Sequence, residues 1–551
     1  MKNSPKKTEY RPFAPAEKLT AGAVCALALV LPLLLHDSYH DATLTKALCY
    51  WILTGLYGLG LILCLLPRRR ELSHLREKLC RRDWLLVASL GCLMLSTALF
   101  RQEAGGFWGA DARYQSAAAA LCTLVWLFGL RCFGKFGRME RFCLLLGFAL
   151  TVLVGLAEYF GWDVLGLVAL TAENDRPRFL STVGNIGFFS AYCVLITPVA
   201  ADGLLRSRDR KTAVLCGSVT VLGFWAALAA RTESAVLGFL TFFAFLPLLE
   251  EERYTRRSLL LLSGLALAGA AFSLLAGAAG RYPLSALAGQ LCGLPALLAA
   301  GVCLALFFLL KRVPPARLRR SYGLVLAGLI AAGCVLLLLA NTVLGENLPK
   351  NLAAYLVIDA DWGTDRGLIW QRFGEMYRDF PLVKKLLGGG AGVLAAYDRV
   401  SPIFPDAITD TAHNEYLNLL WTSGLLGLGS YLAFLGGELR AAGREPGRAG
   451  LMLGCLAYLM QAAVNIAQPF TTPLFFLLLF LPKGDEEEPR DDWASRVLAV
   501  LLALTLLLVS AVSSHQAEER YQQQLFGEVR RSLSRALSPL GAKAATPLWR
   551  R

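Results

Sequence analysis

One histidine and a few arginines carry most of the chemistry that this 551-residue sequence offers. Of its five histidines, His74 lies in a basic stretch, His515 near the C-terminus, and His36 and His40 in the short run HDSYHD. His413 differs, because it opens an apolar block in the run TDTAHNEYLNLLWTSGLLGLGSYL. Imidazole titrates near neutral pH, so a histidine at a helix start beside a membrane surface suits a general base that deprotonates a hydroxyl. The structural alternative is an interfacial helix cap. Asp410, three residues earlier, is placed to orient the ring, and Asn414 follows directly.

Arginines between apolar blocks on the side of His413 are few: Arg101, Arg113, Arg176, Arg178, Arg231, Arg281, Arg366, Arg372, Arg378 and Arg399. Arg231 sits in RTES, a turn of a few residues between two apolar blocks. A charge so close to hydrocarbon is expensive and needs a partner. One reading is an anion site; the other is a helix end that snorkels and pairs with Glu233. Arg366 falls in the first turn of an expected helix that Thr364 caps and that runs to about Phe380. Ile369, Phe373, Met376, Tyr377 and Phe380 form its apolar face. The helix dipole disfavours a cation there, a local conflict that an anion-binding site would produce.

The elements that must position these residues are membrane helices. The sequence is 56% hydrophobic and 17% charged, where soluble domains average about 25% charged. Apolar blocks long enough to cross a bilayer recur at 19–35, 44–66, 84–99, 116–134, 141–160, 184–200, 213–230, 233–249, 258–279, 286–310, 321–341, 413–437, 449–466 and 493–513, with a shorter one at 470–482 beside Pro469 and Pro473. The fold class is an all-α polytopic bundle of 14–15 spans. Basic residues alternate between connections: Arg68 to Arg82, Arg131 to Arg141, Arg206 to Lys211, Arg253 to Arg257, Lys311 to Arg320 and Arg440 to Arg448 mark one side. By the positive-inside rule that side is cytoplasmic, and so is the N-terminal segment 1–18. Segment 19–341 then carries spans 1–11, 342–412 is one long extracytoplasmic loop with short amphipathic helices, and 413–513 carries the C-terminal spans. The tail 514–551 is amphipathic from Ala517 to Leu540 and is expected outside, on the membrane surface.

Other features exclude more than they propose. The net charge of +14 sits in short loops, which argues for membrane topology and against nucleic acid. The cysteines lie mostly inside apolar blocks with no C-x-x-C pair, so they read as small buried hydrophobes, and no metal site is expected from them. The run Gly388-Gly389-Gly390-Ala391-Gly392 supplies flexible backbone for a close approach, to a ligand or to another segment, but no G-K-[ST] follows it. Asp37 and Asp41 with His36 and His40, and the D-x-D formed by Asp359 and Asp361, are the acidic groups that a metal-dependent enzyme would use.

Five stretches together resemble the O-antigen ligase and O-antigen polymerase superfamily, which includes bacterial O-oligosaccharyltransferases. RPRFLSTVGNIGFFSAY (176–192) resembles its Arg-then-(S/T)-x-GN stretch opening a helix. RTESA (231–235) resembles its short outer turn, although Glu233 interrupts the usual small-hydroxyl pattern. DRGLIWQRFGEMYRDFPLVKKLLGGGAG (365–392) resembles its R-x-x-x-W helix and glycine turn, and HNEYLNLLWTSGLLGLGSYL (413–432) its H-N-x-[YF]-L-x-x-x-x-x-x-G-L-x-G motif. QPFTTPLFFLLLFL (468–481) resembles the helix that follows. The resemblance spans roughly 84–250 and 340–485.

It implies a glycosyltransferase of the cytoplasmic membrane, without metal or other cofactor, that moves a glycan from undecaprenyl diphosphate to a hydroxyl of a lipid, glycan or protein on the outer side. Carried over by motif, His413 is the general base and Arg231 and Arg366 bind the diphosphate. Asp410, Asn414, Arg178 and Asn185 are supporting candidates, the last two equally readable as helix-start structure. Ligase and polymerase stay open. Two other functions compete: a flippase for the same lipid, which needs charges mid-span and duplicated halves, and a metal-dependent polyprenyl-phosphate-sugar glycosyltransferase.

Overall fold

The computed structural model describes residues 13–36, 38–39, 42–100, 106–109, 114, 116–249, 252–405, 407–443, 445, 447–481 and 493–543. Asp37, His40, Asp41, Arg101 and Arg113 lie outside the described residues, as do 1–12 of the N-terminal segment and 544–551 of the tail. The chain forms α1 (Ala14–Leu33), α2 (Ala42–Leu65), α3 (Arg81–Phe100), α4 (Ala117–Phe133) and α5 (Arg138–Tyr159), then a two-stranded hairpin of β1 (Phe179–Leu180) and β2 (Gly184–Asn185). There follow α6 (Ile186–Arg206), α7 (Arg210–Ala229), α8 (Glu233–Phe245), α9 (Glu252–Ala279), α10 (Ala286–Leu291), α11 (Leu294–Leu309) and α12 (Pro315–Ala340). The long loop holds α13 (Lys350–Leu356), α14 (Trp362–Asp379), α15 (Leu382–Leu387) and α16 (Val393–Val400). The chain closes with α17 (Glu415–Ala442), α18 (Ala449–Ala462), α19 (Thr471–Phe480) and α20 (Trp493–Lys543).

This is an all-α membrane bundle. Among the described residues ten helices are long and apolar enough to cross a bilayer, and five shorter apolar helices fall on the remaining sequence blocks. α6 is buried along nearly its whole length, from Phe188 to Leu205, and packs on α7, α8 and α18 at the centre of the bundle. In α12 only Ala340 is buried, so most of its apolar surface is left to face lipid.

Three elements differ from the sequence reading. Block 286–310 is two helices, because Cys292 and Gly293 break it ahead of Pro295. Block 449–466 ends as helix at Ala462, and α19 is only ten residues, about 15 Å long against a hydrocarbon core of about 30 Å. Each residue of α19 except Thr472 is buried, so its short length and the irregular backbone before it meet protein rather than lipid. Asn465 and Gln468 serve that backbone: the Asn465 side-chain oxygen accepts from the Ile466 N–H, and the Gln468 side-chain amide donates to the Ile466 carbonyl. Finally, the last span and the tail form one unbroken helix, α20, about 76 Å long, in place of a span and a separate surface helix.

The two ends of the bundle are chemically distinct. Three helix ends bearing arginines meet at the buried carboxylate of Glu438. Arg82 Nε lies 2.9 Å, Arg131 Nη2 2.7 Å and Arg448 Nη2 3.5 Å from its oxygens, while Arg131 also pairs with Asp83 at 2.9 Å. At the opposite end, Ser510 and Ser513 donate to the Leu33 and Leu35 carbonyls, and Thr182 of the hairpin turn donates to the Pro32 carbonyl. The half of α20 beyond Ser514 therefore leaves the bundle at the end that holds the hairpin.

Candidate functional site

The site is built at that second end, from the hairpin, the α7–α8 turn, the long loop and the start of α17. The hairpin fixes the first part. Ser181, at φ +61°, is buried and donates its hydroxyl to the Thr151 carbonyl, while its N–H donates to Glu158 at 2.6 Å. Asn185 ends the hairpin and caps α6, its side-chain oxygen accepting from the Gly187 N–H at 2.8 Å. Arg178 points outward and pairs with Asp175 at 3.2 Å. Asn185 is thus a helix cap, and Arg178 is held in an exposed ion pair before the hairpin.

Arg231 occupies the α7–α8 turn in left-handed backbone, φ +55°. Its Nη2 donates to the Pro177 carbonyl, and its guanidinium lies over the Tyr282 ring, 4.5 Å from the centroid. The expected pairing with Glu233 gives way to another: Glu233 accepts from the Ser285 hydroxyl at 3.4 Å and the Leu287 N–H at 3.2 Å, tying α8 to α10. Arg231 instead shares a narrow cleft with Arg176, Arg281, Tyr282, Tyr159 and Glu158. Burial pulls its pKa below the usual arginine value, but it stays cationic at neutral pH. A desolvated guanidinium partly paired by a carbonyl and a ring keeps most of its charge for an anion.

Arg366 begins the regular part of α14. Gly363, Thr364 and Asp365 all adopt φ +64°, so Thr364 does not cap the helix as its type suggests; it belongs to a left-handed turn. The apolar face forms as its spacing predicts, with Ile369, Phe373 and Met376 buried against Val393, Leu394, Ala412 and Trp421, and with Tyr377 and Phe380 at the edge. The chain before α14 presses onto its start: Leu368 N–H donates to the Ala360 carbonyl at 2.9 Å, and a Cβ on Gly367 would collide with the Asp359 carbonyl. Arg366 is held partly buried there, and burial lowers its pKa from the usual value. Among the described residues nothing accepts a hydrogen bond from its Nε, a buried donor.

His413 follows a loop shaped by Asp398, whose buried carboxylate accepts from the Ile403 and Thr409 N–H groups, both at 2.8 Å. Asp410 lies partly buried at the end of that loop. His413 itself has φ +49°, and its N–H donates to the Thr411 hydroxyl. Asn414 is the cap of α17, its side-chain oxygen accepting from Tyr416 and Leu417 N–H, both at 3.0 Å. With the cap supplied by Asn414, the imidazole is not needed for that purpose. Trp370 donates its indole N–H to the Ala412 carbonyl at 2.7 Å, so the helix that carries Arg366 is pinned to the residue before His413.

Arg366 and His413 thus share one packed unit, while Arg231 stands in the hairpin neighbourhood. Polar groups of α18 contact both neighbourhoods. Tyr458 of α18 donates to Glu415 of α17 at 2.6 Å, and Tyr416 donates to the Leu459 carbonyl. One turn on, Gln461 donates to Ser190 of α6 and to Ser234, three residues after Arg231. Sequence reasoning missed Glu415, Tyr458 and Gln461, since their partners lie 43 to 271 residues away; Trp370 was visible in the R-x-x-x-W spacing.

The glycine run turns inward rather than toward a ligand. Gly424, in left-handed backbone at φ +71°, breaks α17 and frees carbonyls that the run then serves: Gly389 N–H donates to Trp421 O at 2.9 Å and Gly390 N–H to Thr422 O at 3.0 Å. A Cβ on Gly388 would lie 2.2 Å from Thr422 O.

For a metal, Cys80, Asp83 and Glu438 bring ligand-type atoms within 4.8 Å of one another, but at the opposite end of the bundle and already facing Arg82 and Arg131. Asp359 and Asp361 are exposed.

Compared with known families, residues 286–432 match the family model described as O-Antigen ligase. The matched stretch contains Arg366, Asp410, His413 and Asn414; Arg231, Arg178 and Asn185 lie before it. A search of curated proteins returned no match.

Proposed function

From the match of residues 286–432 to the O-antigen ligase family model, we propose that the chain is a membrane glycosyltransferase of the O-antigen ligase and polymerase superfamily, which transfers a glycan from undecaprenyl diphosphate to an acceptor hydroxyl on the outer side of the cytoplasmic membrane. The observation that carries the reading is Arg366: a partly buried guanidinium whose buried Nε donor has no acceptor among the described residues, at the start of a helix, pinned through Trp370 to the residue before His413. An anion-binding group and a base are then held on one rigid piece, which is what in-line transfer needs.

In this scheme the acceptor oxygen attacks the anomeric carbon and passes its proton to the His413 imidazole. The bond from that carbon to the diphosphate oxygen breaks, and its electron pair stays on the diphosphate. Arg366 and Arg231 neutralise the charge that grows there, in a site dry enough for the attraction to be strong. Diphosphate is already a good leaving group, so the two arginines and one base complete the chemistry without a metal. Left-handed backbone at Arg231, His413 and the two residues before Arg366 costs on the order of 1–3 kcal/mol per position, the kind of strain that persists at functional sites.

The test is transfer of a lipid-linked glycan by membranes carrying Arg231→Ala, Arg366→Ala or His413→Ala. Each is expected to insert normally and to lose transfer; normal product from all three rejects the site.

A further inference from the structure

An apolar cavity of about 360 Å³ lies between α7, α8, α9, α10 and α11. Its wall is hydrocarbon and thiol throughout, including Phe224, Phe239, Leu265, Ala266, Cys292 and Ala299. It begins one turn inside the α7–α8 connection, since Leu228 of α7 and Ala235 of α8 both line it. That connection carries Arg231. The connection from α9 to α10, which closes the other wall, carries Arg281, and both arginines line the one cleft with Tyr282. A cationic mouth therefore stands over an apolar chamber. Glu233, through Ser285 and Leu287, ties the start of α8 to α10 across this end, which gives a role to the residue where RTESA departs from the family pattern.

We propose that this cavity holds the isoprenoid segment of the donor lipid next to its diphosphate, and that Arg281 joins Arg231 on the phosphates. The inference rests on the reading above and extends it to the lipid half of the substrate. The charge pattern favours this occupant. An apolar wall rejects any polar group without a partner, and paired arginines at the mouth select a compact, multiply charged anion. A polyisoprenyl diphosphate joins such an anion to a single hydrocarbon chain, whereas a diacyl phospholipid offers one phosphate and two chains. The chamber has the volume of a small-molecule site, so it takes the first part of the chain while the rest lies in the bilayer. Leu240 and Ala299 on its wall are exposed, which leaves it open to that continuation.

The experiment uses the full-length protein in liposomes and two synthetic glycosyl donors, one with a long polyisoprenyl chain and one with two isoprene units, plus a long-chain polyisoprenyl diphosphate bearing a diazirine near the head. Expected photolabelling falls on α9 and α11 peptides containing Ala266 and Ala299, and long-chain polyisoprenyl diphosphate displaces it. Ala266→Phe and, independently, Ala299→Phe are expected to remove the label and raise KM for the long donor about tenfold. Use of the short donor should stay within twofold, with unchanged melting in detergent showing that the fold is kept. Label elsewhere, or equal displacement by phospholipid, overturns the proposal. So does unchanged use of the long donor in both variants while Arg231→Ala abolishes transfer, a result that leaves the glycosyltransferase reading standing. If neither donor is turned over, that reading fails, and the position and displacement of the label still decide the cavity.

Discussion

The indole N–H of Trp370 donates to the carbonyl oxygen of Ala412 across 42 residues of chain, at 2.7 Å. Trp370 lies four residues after Arg366, hence on the same face of α14, and Ala412 immediately precedes His413. This hydrogen bond thus ties the helix that carries Arg366 to the residue before His413. Trp370→Phe keeps a ring for packing and removes the donor. Since a net hydrogen bond is worth about 1 kcal/mol, transfer is expected to fall roughly fivefold in kcat, with little change in membrane insertion or melting temperature. Steady-state transfer by purified protein checks this, and wild-type kcat would mean that the indole positions nothing.

Arg366 also predicts a failed rescue. Its unpartnered atom is Nε, and a lysine has no donor at that point of the side chain and no planar fork. Arg366→Lys keeps the charge, yet is expected to lose at least tenfold in kcat/KM for the lipid-linked donor. Recovery of near wild-type kcat/KM would reduce the role of Arg366 to simple charge.

If the arginines take the place of a metal at the diphosphate, chelation changes little. Transfer in membranes washed with EDTA is expected within twofold of untreated membranes, and addition of magnesium or manganese should not raise it. Loss on chelation with recovery on one divalent ion would favour the metal-dependent alternative, with its ligands sought among the outer acidic residues.

The bundle was legible because a bilayer leaves few options. Among the described residues each of the fifteen apolar blocks holds a long or short apolar helix, with 286–310 broken in two, and the alternation of arginines gathered one set of helix ends, as Arg82, Arg131 and Arg448 around Glu438 show. The apolar face of α14 followed from 3.6-residue spacing. What stayed hidden depends on contacts between distant segments. Thr364 has the side chain of a cap, but the backbone of 359–360 presses on Gly367 and the turn goes left-handed instead. Glu233 reads as the obvious partner of Arg231, yet α10 takes it, and no local rule announces α10 behind the Gly293 break. The glycine run declared a close approach without naming what approaches.

That approach predicts a large cost. Gly388 is in left-handed backbone at φ +83°, and a Cβ there would lie 2.2 Å from Thr422 O; at Gly424 a Cβ would lie 2.3 Å from Leu386 O. Neither obstacle is a flexible side-chain end. Gly388→Ala and Gly424→Ala are each expected to destabilise by at least about 2 kcal/mol, combining positive-φ strain with displaced backbone hydrogen bonds. Gly392→Ala is the control, having positive φ but open space around it, and should cost about 1 kcal/mol. Melting in detergent should rank Gly392→Ala as the mildest of the three; a Gly388→Ala protein as stable as wild type would show that the run does not brace the break in α17.

The buried cluster at the opposite end separates structural from catalytic charge. Glu438 is fully buried and faces three guanidiniums, of which Arg131 and Arg448 are nearly buried and Arg82 is 36% exposed. Removing the carboxylate charge leaves Arg131 with Asp83 and Arg448 with the exposed Glu445, in a site that water reaches poorly. Breaking a buried ion pair from one side costs about 3–5 kcal/mol, so Glu438→Gln is expected to lower the melting temperature sharply and reduce the amount of inserted protein. Arg82→Gln removes a partly solvated partner and should cost under about 1 kcal/mol. Whatever Glu438→Gln protein folds should transfer glycan with the wild-type KM, because the cluster stands at the end of the bundle opposite His413. Loss of turnover per folded molecule, with the melting temperature unchanged, would contradict a purely structural role and bring the chemistry to the basic end of the bundle.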